Sequence, residues 1–365
     1  MGIGLAGRKR VAVYILKQTM STSVTMKTVA IEAQVTQATV SMCLANNPRI
    51  PLATRTRIQA IAERLGYRRN PYVSALMRMR RQGNPPRLWP LLALVNGLDT
   101  AAAWRNSTAV TVRQMSEGAI KRAAECGYRA EEFWLGRDGM SGERFSDVLH
   151  ARGIHGLLLG PMATGVPLPR LKWERFSAVR LGVPLAALTL TTVCNDHFFS
   201  SVQVMRECWK LGYRRPGLVM LDMHLERFQG RWNGGLLASS SILRGTKPVR
   251  TLLLKSWDDL APLGEWIKRA RPDVIISPFA KIIQTYLVTM GWRLPQDIGL
   301  ASLACEKQGD ECSGIFQNGR LIGATGIDMV ISMLEHNETG LPAQAQTLMI
   351  EGIWNPGRTL RPAEA

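Results

Sequence analysis

The chain has 365 residues, of which 46% are hydrophobic, and a mean hydropathy of −0.03, so it is long enough for two or three domains with proper cores. No apolar run approaches the roughly 20 residues that a membrane span needs, which argues against a membrane protein. The six cysteines are scattered without a CxxC motif or zinc-type spacing, which predicts reduced thiols and no metal site.

The net charge of +18 is concentrated at the N-terminal end. Residues 1–87 hold 15 lysines and arginines but two acidic residues, a net +13, whereas the remaining 278 residues carry 31 basic and 26 acidic side chains. A basic end on a nearly balanced body indicates a nucleic-acid partner, although charge alone fits a solvated basic tail equally well. Because aromatic residues are sparse there, duplex DNA is favoured over RNA or a single strand.

Residues 1–24 combine a basic cluster with the short apolar run VAVYIL. Lys17 and Gln18 follow that run, where a signal peptide would have small residues at a cleavage site. We therefore predict a disordered basic extension, or an upstream start with Met20 or Met26 as the true first residue, and a cytoplasmic protein.

Three short helices are predicted next. The first follows the cap Thr25 and covers 26–33, and the second follows the cap Thr36 and extends to about Ala45. The third covers roughly 52–65. On it, an apolar stripe faces inward and three arginines face solvent: Ile58, Ile61, Ala62 and Leu65 against Arg55, Arg57 and Arg64.

The second helix has one apolar and one polar side. Val40 and Leu44 are spaced to point inward, so the front of the helix presents the outward residues Gln37, Ala38, Ser41 and Met42. Two short helices joined by a tight turn, with the second polar at its front, are typical of a helix-turn-helix that places this helix in the major groove. Gln suits adenine, and small side chains suit a thymine methyl. On geometry alone, a small structural helix bundle is the alternative.

The stretches VAIEAQVTQATVS, NNPRI and TRTRIQAIAERLGYRRNP resemble the DNA-binding headpiece of the lactose/galactose repressor (LacI/GalR) family of bacterial transcription regulators. The resemblance implies a headpiece at 25–68 and a hinge helix with linker at 69–87. It also implies the DNA contacts Thr36, Gln37, Ala38, Thr39, Ser41, Met42, Asn46, Tyr67, Arg69, Val73 and Leu76.

Within that resemblance, Gln37 and Ala38 fall on the specificity positions of the family, and Leu76 falls on the leucine that wedges into a central base step. A plain core leucine is the alternative at Leu76. Met42 departs from the usual arginine, which implies a different operator, and Arg69 replaces a proline, which implies an added phosphate contact.

Residues 88–365 alternate short apolar strands with helices, which predicts an α/β domain with two parallel sheets covered on both faces. The predicted strands are 91–97, 131–135, 156–160, 177–181, 189–194, 217–221, 251–255, 273–277, 299–304 and 347–354. The predicted helices are 114–126, 198–211, 231–243, 260–270, 280–290 and 321–335.

This region resembles the effector domain of the same family, which is like a type I periplasmic binding protein. The stretches that carry the resemblance are CGYRAEEFWL, GIHGLLLGP, KLGYRRPGLVM, RWNGG, LVTMGWRLPQDIGLASLA and EGIWNPGRTL. It implies two lobes, at about 88–190 plus 318–340 and about 191–317 plus 341–365, with an effector in the cleft whose binding changes the pose of the lobes.

The effector contacts are predicted at Arg231, Asp196, Trp104 and Glu306. Arg231 falls on the arginine that grips the ligand in sugar-responsive members, with a structural ion pair as its alternative. Asp196 follows a strand end, and Trp104 suits a sugar face but equally a core. Where members of the family usually have an acid-rich strand end, this chain has Ala304-Cys305-Glu306. The identity of the effector therefore does not carry over from the family, and a sugar is only the default.

No nucleophile–base pair, phosphate loop or metal cluster stands out, so we predict no enzyme activity, cofactor or metal. The combined prediction is a homodimeric, DNA-binding transcription regulator, by default a repressor, that binds a pseudo-palindromic operator and a small-molecule effector. Its alternatives are a nonspecific architectural DNA binder and a solute-binding protein, which would need an export signal and no basic headpiece.

Overall fold

A computed structural model of the chain describes residues 24–44, 46–67, 89–98, 100–136, 139–162, 170–183 and 189–362. Three helices come first, and strands alternating with helices follow. The predicted basic extension, hinge helix and linker lie outside the described residues, apart from Val24 at the end of the extension.

The helices of the described residues are α1 (Met26–Ala33), α2 (Gln37–Leu44), α3 (Leu52–Arg64), α4 (Val110–Glu125), α5 (Gly142–Ala151), α6 (His197–Lys210), α7 (Asp222–Arg227), α8 (Arg231–Ile242), α9 (Ala261–Ala270), α10 (Ala280–Thr289) and α11 (Gly319–Glu335). The strands are β1 (Leu91–Gly97), β2 (Arg129–Trp134), β3 (Gly156–Met162), β4 (Ser177–Leu181), β5 (Thr191–Asn195), β6 (Pro216–Leu221), β7 (Leu252–Leu254), β8 (Val274–Ser277), β9 (Gly299–Cys305), β10 (Gly314–Phe316), β11 (Thr347–Ile350) and β12 (Ile353–Asn355).

The strands form two six-stranded sheets. Sheet 1 has the order β11-β5-β4-β3-β1-β2 and sheet 2 the order β12-β10-β9-β8-β6-β7. Strands β1, β2, β3 and β4 pair in parallel in sheet 1, as do β6, β7, β8, β9 and β10 in sheet 2, while β12 runs antiparallel to β10. The predicted pair of largely parallel sheets is confirmed.

The single strand predicted at 347–354 is wrong. The chain leaves sheet 1 after Ile350 and enters sheet 2 at Ile353, so two short strands replace one. Gly352 lies between them, where a Cβ atom would collide with the side chain of Ile315. The strand β10 and the helix α7 were not predicted, because such short elements have too few residues to show a period; the ten-residue helix α5 was also not predicted.

Alternating residues of sheet 2 pack into two separate hydrophobic cores. Leu218 and Met220 of β6 pack into one buried cluster with Trp232, whereas Val219 between them packs into another with Trp266. Because successive strand side chains point to opposite faces, this pattern shows that helices cover both faces of the sheet. Packing on both faces fixes the central strands in place, and this also fixes where the residues at the strand ends lie.

The large domain divides into two compact units, and each is described by itself. Lobe 1 consists of the described residues of 89–106, 119–192 and 323–346, and lobe 2 of those of 107–118, 193–322 and 347–362. Residues 107–118 belong to lobe 2, although the sequence placed them in lobe 1. The boundary at 192/193 lies within β5.

Candidate nucleic-acid interface and effector site

The headpiece, defined as residues 24–67, packs three helices around one apolar core. Its buried side chains are Met26, Val29, Ala30, Ala33, Val40, Cys43, Ile58, Ala62 and Tyr67. Val40 is fully buried and Leu44 packs against the same core, as the helical spacing predicted. Because α2 contributes only this side to the core, its opposite side remains open to a partner.

Local hydrogen bonds fix where α1 and α2 begin. Thr25 Oγ1 accepts from the N–H of Thr28 at 3.2 Å, and Thr28 Oγ1 accepts from the N–H of Thr25 at 3.4 Å, a reciprocal capping box. Thr36 Oγ1 accepts from the N–H of Thr39 at 3.2 Å. Between the helices, Gln34 has a φ of 54°, the left-handed conformation that closes the tight turn. Both predicted caps are confirmed.

The first turns of α2 carry the residues that the sequence assigned to base reading. Ala38 is exposed, and Gln37, Ser41 and Met42 are half-buried. Among the described residues, the side chains of Gln37 and Ser41 have no hydrogen-bond partner, so their polar atoms are available to a ligand. Thr39 differs, because its hydroxyl lies 3.0 Å from that of the cap residue.

The arginines of α3 bind the ends of the other two helices. Arg57 donates two hydrogen bonds of 3.3 Å to the last carbonyl of α1, and Arg55 donates one of 3.1 Å to the carbonyl of Asn46, just beyond α2. Arg64 pairs with Glu32 at 2.6 Å. Arg57 and Arg64 are exposed, as the sequence predicted, and Arg55 is half-buried. All three arginines also bridge helices, and Arg55 and Arg57 bind carbonyls at carboxyl-terminal helix ends.

The two residues predicted to lie near the DNA backbone, Asn46 and Tyr67, have different surroundings. Asn46 is exposed, has a φ of 56° and accepts a 2.8 Å hydrogen bond from Gln59 at its Oδ1. Tyr67 is only 7% exposed and packs in the headpiece core, where its ring offers little surface to DNA. The other predicted contacts, Arg69, Val73 and Leu76, lie outside the described residues.

Most of the positive charge of residues 1–87 lies outside the headpiece. Residues 24–67 contain five basic and two acidic side chains, a net +3. The other ten positive charges of the N-terminal region belong to 1–23 and 68–87. Most of the positive charge of residues 1–87 thus lies, in sequence, on either side of the headpiece.

Arg231 begins α8 in lobe 2 and is half-buried. Its guanidinium donates to Gln229 Oε1 at 3.3 Å and lies 3.5 Å from the sulfur of Met349. Within the described residues it has no carboxylate partner, so the ion pair that the sequence offered as an alternative is absent from that part of the chain. An unpaired, half-buried guanidinium favours an anionic or polyhydroxy ligand.

The two predicted acids of lobe 2 are occupied by other contacts. Asp196 caps α6, since its Oδ1 accepts a 2.8 Å hydrogen bond from the N–H of Phe199. Glu306 follows β9 and pairs with Lys281 at 2.7 Å. Each carboxylate thus has a protein partner on one of its two oxygens.

Aromatic rings meet where the strands of sheet 2 end. His224 follows β6 and Phe279 follows β8; their rings stack with centroids 5.3 Å apart at 10°. Trp257 follows β7, and its ring lies 5.1 Å from that of Phe279. Phe228 lies 5.7 Å from His224. Sequence reasoning missed this cluster as a site, although each residue follows a predicted strand, because strand order is invisible in the sequence.

The Phe228 ring also joins this cluster to two buried rings, those of His197 at 4.8 Å and Trp232 at 4.3 Å. Burial lowers the pKa of His197 to about 4, and the positive charge of Arg231 acts in the same direction. Burial likewise lowers the pKa of His224 to about 4. Both imidazoles are therefore neutral at pH 7, which suits an apolar, aromatic site.

Trp104 lies in lobe 1 and is fully buried, with its ring against Gly160. A ring without exposed surface has no face to offer a ligand, so the stacking predicted for Trp104 has no geometric support here. Its backbone N–H donates to Glu132, whose side chain is 3% exposed and also accepts from Asn96 and Arg105. Glu132 was not singled out in the sequence, since an acid within a strand resembles a surface residue.

Lobe 2 also has a cavity of about 360 Å³ beside α8 and β7. Its lining is mostly aliphatic: Leu225, Asn233, Leu236, Leu237, Pro248, Val249, Arg250, Thr251 and Leu253. None of the predicted effector residues lines it.

The described residues contain no group of three or more His, Cys, Asp or Glu side chains arranged to hold a metal ion. None of the helices in that part of the chain is both long and apolar enough to cross a membrane.

Comparison with known proteins gives a family and a fold. Residues 25–70 match the sequence model of the bacterial regulatory proteins of the lacI family. No curated protein matches the chain.

Solved structures similar to this one are transcription regulators. One is the transcriptional regulator CelR in complex with cellobiose, with 19% identity over 92% of this chain and 100% of that one and a TM-score of 0.53. Another is the lac repressor dimer bound to operator and the anti-inducer ONPF, with 16% identity over 93% and 99% and a TM-score of 0.52. A probable maltose operon repressor, malR of Staphylococcus aureus, has 14% identity over 75% and 99% and a TM-score of 0.58. At these identities the likeness concerns the fold.

Proposed function

We propose that this chain, which belongs to the lacI family of bacterial regulatory proteins, is a sequence-specific DNA-binding regulator of transcription and acts by repression. The observation that carries the proposal is the match of residues 25–70 to the family, on helices that leave the polar front of α2 open. The protein acts in the cytoplasm, on the nucleoid, and is not an enzyme.

The front of α2 reads bases in the major groove. Gln37 pairs with adenine through its amide, Ala38 contacts a thymine methyl, and Ser41 binds a base edge or phosphate. Met42 gives an apolar contact where the family usually has an arginine. The bridging arginines keep α2 fixed on α1 and α3, so the reading residues arrive already placed.

Two chains bind as a dimer, and the two headpieces read the halves of a pseudo-palindrome. Leu76, with Val73 packing beside it, wedges into the central base step and kinks it, and Arg69 contacts phosphate. These roles rest on the sequence resemblance. In a similar regulator the dimer itself is bound to an operator.

A small molecule bound by the α/β domain changes the affinity for the operator. CelR, which has this fold, is known in complex with cellobiose. Arg231 is the lobe 2 residue best placed to grip such an effector, because it is half-buried and has no acid partner among the described residues. By linkage, whatever the effector does to operator affinity, the operator does to effector affinity.

The test is selection of bound duplexes from a random pool at fixed salt, followed by sequencing. We expect a two-fold symmetric motif with a flexible central step. Gln37→Ala then costs about 1–3 kcal/mol at one base pair of each half-site, and Met42→Arg creates a new preference at one position. Leu76→Ala weakens specific binding far more than nonspecific binding.

The matched control is Arg49→Ala, which removes an exposed headpiece charge outside α2. It lowers affinity for all sequences alike and leaves the motif unchanged. An architectural DNA binder gives no enriched motif and no change of preference in the Gln37 variant. Either result contradicts the proposal.

A further inference from the structure

The rings after the strands of sheet 2 form one surface of lobe 2. We call His224, Phe228, Trp257 and Phe279 the aromatic wall. Because β6, β7 and β8 run parallel, their carboxyl ends lie at one edge of the sheet, and three chain segments bring these rings together there. Three of the four rings are half-buried, so part of each is open to a ligand.

The aromatic wall contains buried polar atoms that lack hydrogen-bond partners in the part of the chain that the structure describes. Within the described residues, His224 Nδ1 and Trp257 Nε1 are buried and have no hydrogen-bond partner. The His224 side chain is only 8% exposed, so water does not readily replace the missing partner. Leaving such groups unpaired is costly, and a ligand that pairs with them recovers that cost on binding.

Three acids and three bases lie at this end of the lobe. Asp222 is paired with Lys255 at 2.6 Å, just as Lys281 neutralises the acid after β9. Asp196 serves as a helix cap. Arg231 alone among these groups has no ionic counterpart in the described residues, and its backbone N–H donates to the carbonyl of Phe228 in the aromatic wall at 3.0 Å.

The carboxylates here each have a protein partner already. Lobe 2 offers in addition aromatic rings, two ring nitrogens without partners and a guanidinium without an acid partner, all among the described residues. A planar ring stacks on such a wall, and a carboxylate matches the guanidinium fork.

We propose that the effector bound by lobe 2 is a planar aromatic carboxylate, with its ring on the aromatic wall and its carboxylate on Arg231, in place of a sugar. This inference rests on the proposed function, since it names the ligand class of a regulator.

The experiment is isothermal titration of the full chain with benzoate, 4-hydroxybenzoate, cinnamate and indole-3-acetate. Benzamide keeps the ring without the charge, cyclohexanecarboxylate keeps the charge without the planar ring, and cellobiose and glucose represent sugars. We expect at least one aromatic carboxylate to bind about tenfold or more tighter than both matched compounds. Tighter binding of a sugar, or no binding of any aromatic carboxylate at 10 mM, overturns the assignment.

Three variants locate the ligand. Arg231→Gln weakens binding of the best carboxylate by about 10- to 100-fold, whereas the control Arg269→Gln, an exposed arginine on α9, leaves it unchanged. Phe279→Leu removes the preference for a planar ring. Trp257→Phe keeps the ring but removes the N–H, and lowers affinity about fivefold. Equal losses in the Arg231 and Arg269 variants contradict a site at Arg231.

Operator binding is measured on the same samples, with the motif from duplex selection. If the operator is bound but none of the carboxylates binds, the ligand class is wrong and the regulator stands. If no motif is enriched, the proposed function itself fails, whatever the titrations show.

Discussion

The two sheets have six strands each, but the ends of their strands carry different chemistry in lobe 1 and in lobe 2. In lobe 1, Asn96 and Arg105 converge on the buried carboxylate of Glu132. In lobe 2, the rings of His224, Trp257 and Phe279 meet, and two ring nitrogens lack partners among the described residues.

The polar groups of the lobe 1 cluster hydrogen-bond to one another, whereas the lobe 2 cluster contains ring nitrogens that have no partner among the described residues. The lobe 1 cluster satisfies its own hydrogen bonds, so it has a structural role. The lobe 2 cluster contains two ring nitrogens without partners among the described residues, and the binding role proposed for it starts from them. A sheet thus sets where a site is, and the side chains at strand ends set what it binds. Four predictions test this contrast.

The largest expected effect is a loss of stability at low pH. His197 has a pKa of about 4 when folded because it is buried, against roughly 6.5 when unfolded. Below about pH 6.5 the unfolded chain takes up a proton that the folded chain does not, so the free energy of unfolding falls as pH falls. At pH 4 this residue alone accounts for a loss of about 3 kcal/mol.

Hydrogen exchange resolved by peptide, repeated between pH 7 and pH 4 and corrected for intrinsic rates, checks this. His197→Phe keeps a ring against Phe228 and Trp232 but cannot be protonated, so its lobe 2 peptides lose less protection toward pH 4. An identical pH profile in the variant and the native chain would show that His197 is not the group responsible.

The next effect tests the polar network. Glu132→Ala removes the acceptor of the Trp104 N–H and of Asn96, and leaves polar groups buried without partners. We expect a loss of about 2 kcal/mol in the free energy of unfolding, measured by urea denaturation. Glu131→Ala, at the neighbouring position with a more exposed ion pair, should change it by less than about 0.5 kcal/mol. Equal losses would mean that the network is not structural.

A smaller effect tests whether the two cores are equivalent. In lobe 1 an added Cβ at Gly160 would lie 2.7 Å from the Trp104 ring, and in lobe 2 one at Gly217 would collide with Trp266. Each Gly→Ala change should therefore cost about 1–2 kcal/mol by overpacking. Urea denaturation of both variants checks this. A loss at one site alone would show that the lobes differ in their cores as well as at their strand ends.

The smallest effect concerns the charged rim of lobe 2. Lys255 is largely exposed, so its 2.6 Å pair with Asp222 gives little stability. Lys255 nevertheless holds the pKa of the Asp222 carboxyl below its usual range. Asp222→Asn should leave the urea denaturation midpoint at pH 7 unchanged. A clear fall in that midpoint would mean that the rim, and not the ring cluster, holds this edge together.

Much of the headpiece could be predicted residue by residue, because its signals are local. The caps Thr25 and Thr36 lie three residues from the groups they bind, and the spacing of Val40 and Leu44 fixes which side of α2 is inward. The roles of Arg55 and Arg57 could not be predicted, since their carbonyl partners belong to other helices.

The sequence by itself determined the family resemblance, the helix-turn-helix, the alternation of strands and helices and the basic N-terminal region. These depend on periodicity, capping and composition, which act over a few residues. Tertiary structure alone decided that Trp104 is core, that Glu306 is paired and that four rings from three chain segments meet after the strands of sheet 2. Such placement follows from strand order, which reflects the packing of the whole sheet and leaves no mark on any short stretch of chain.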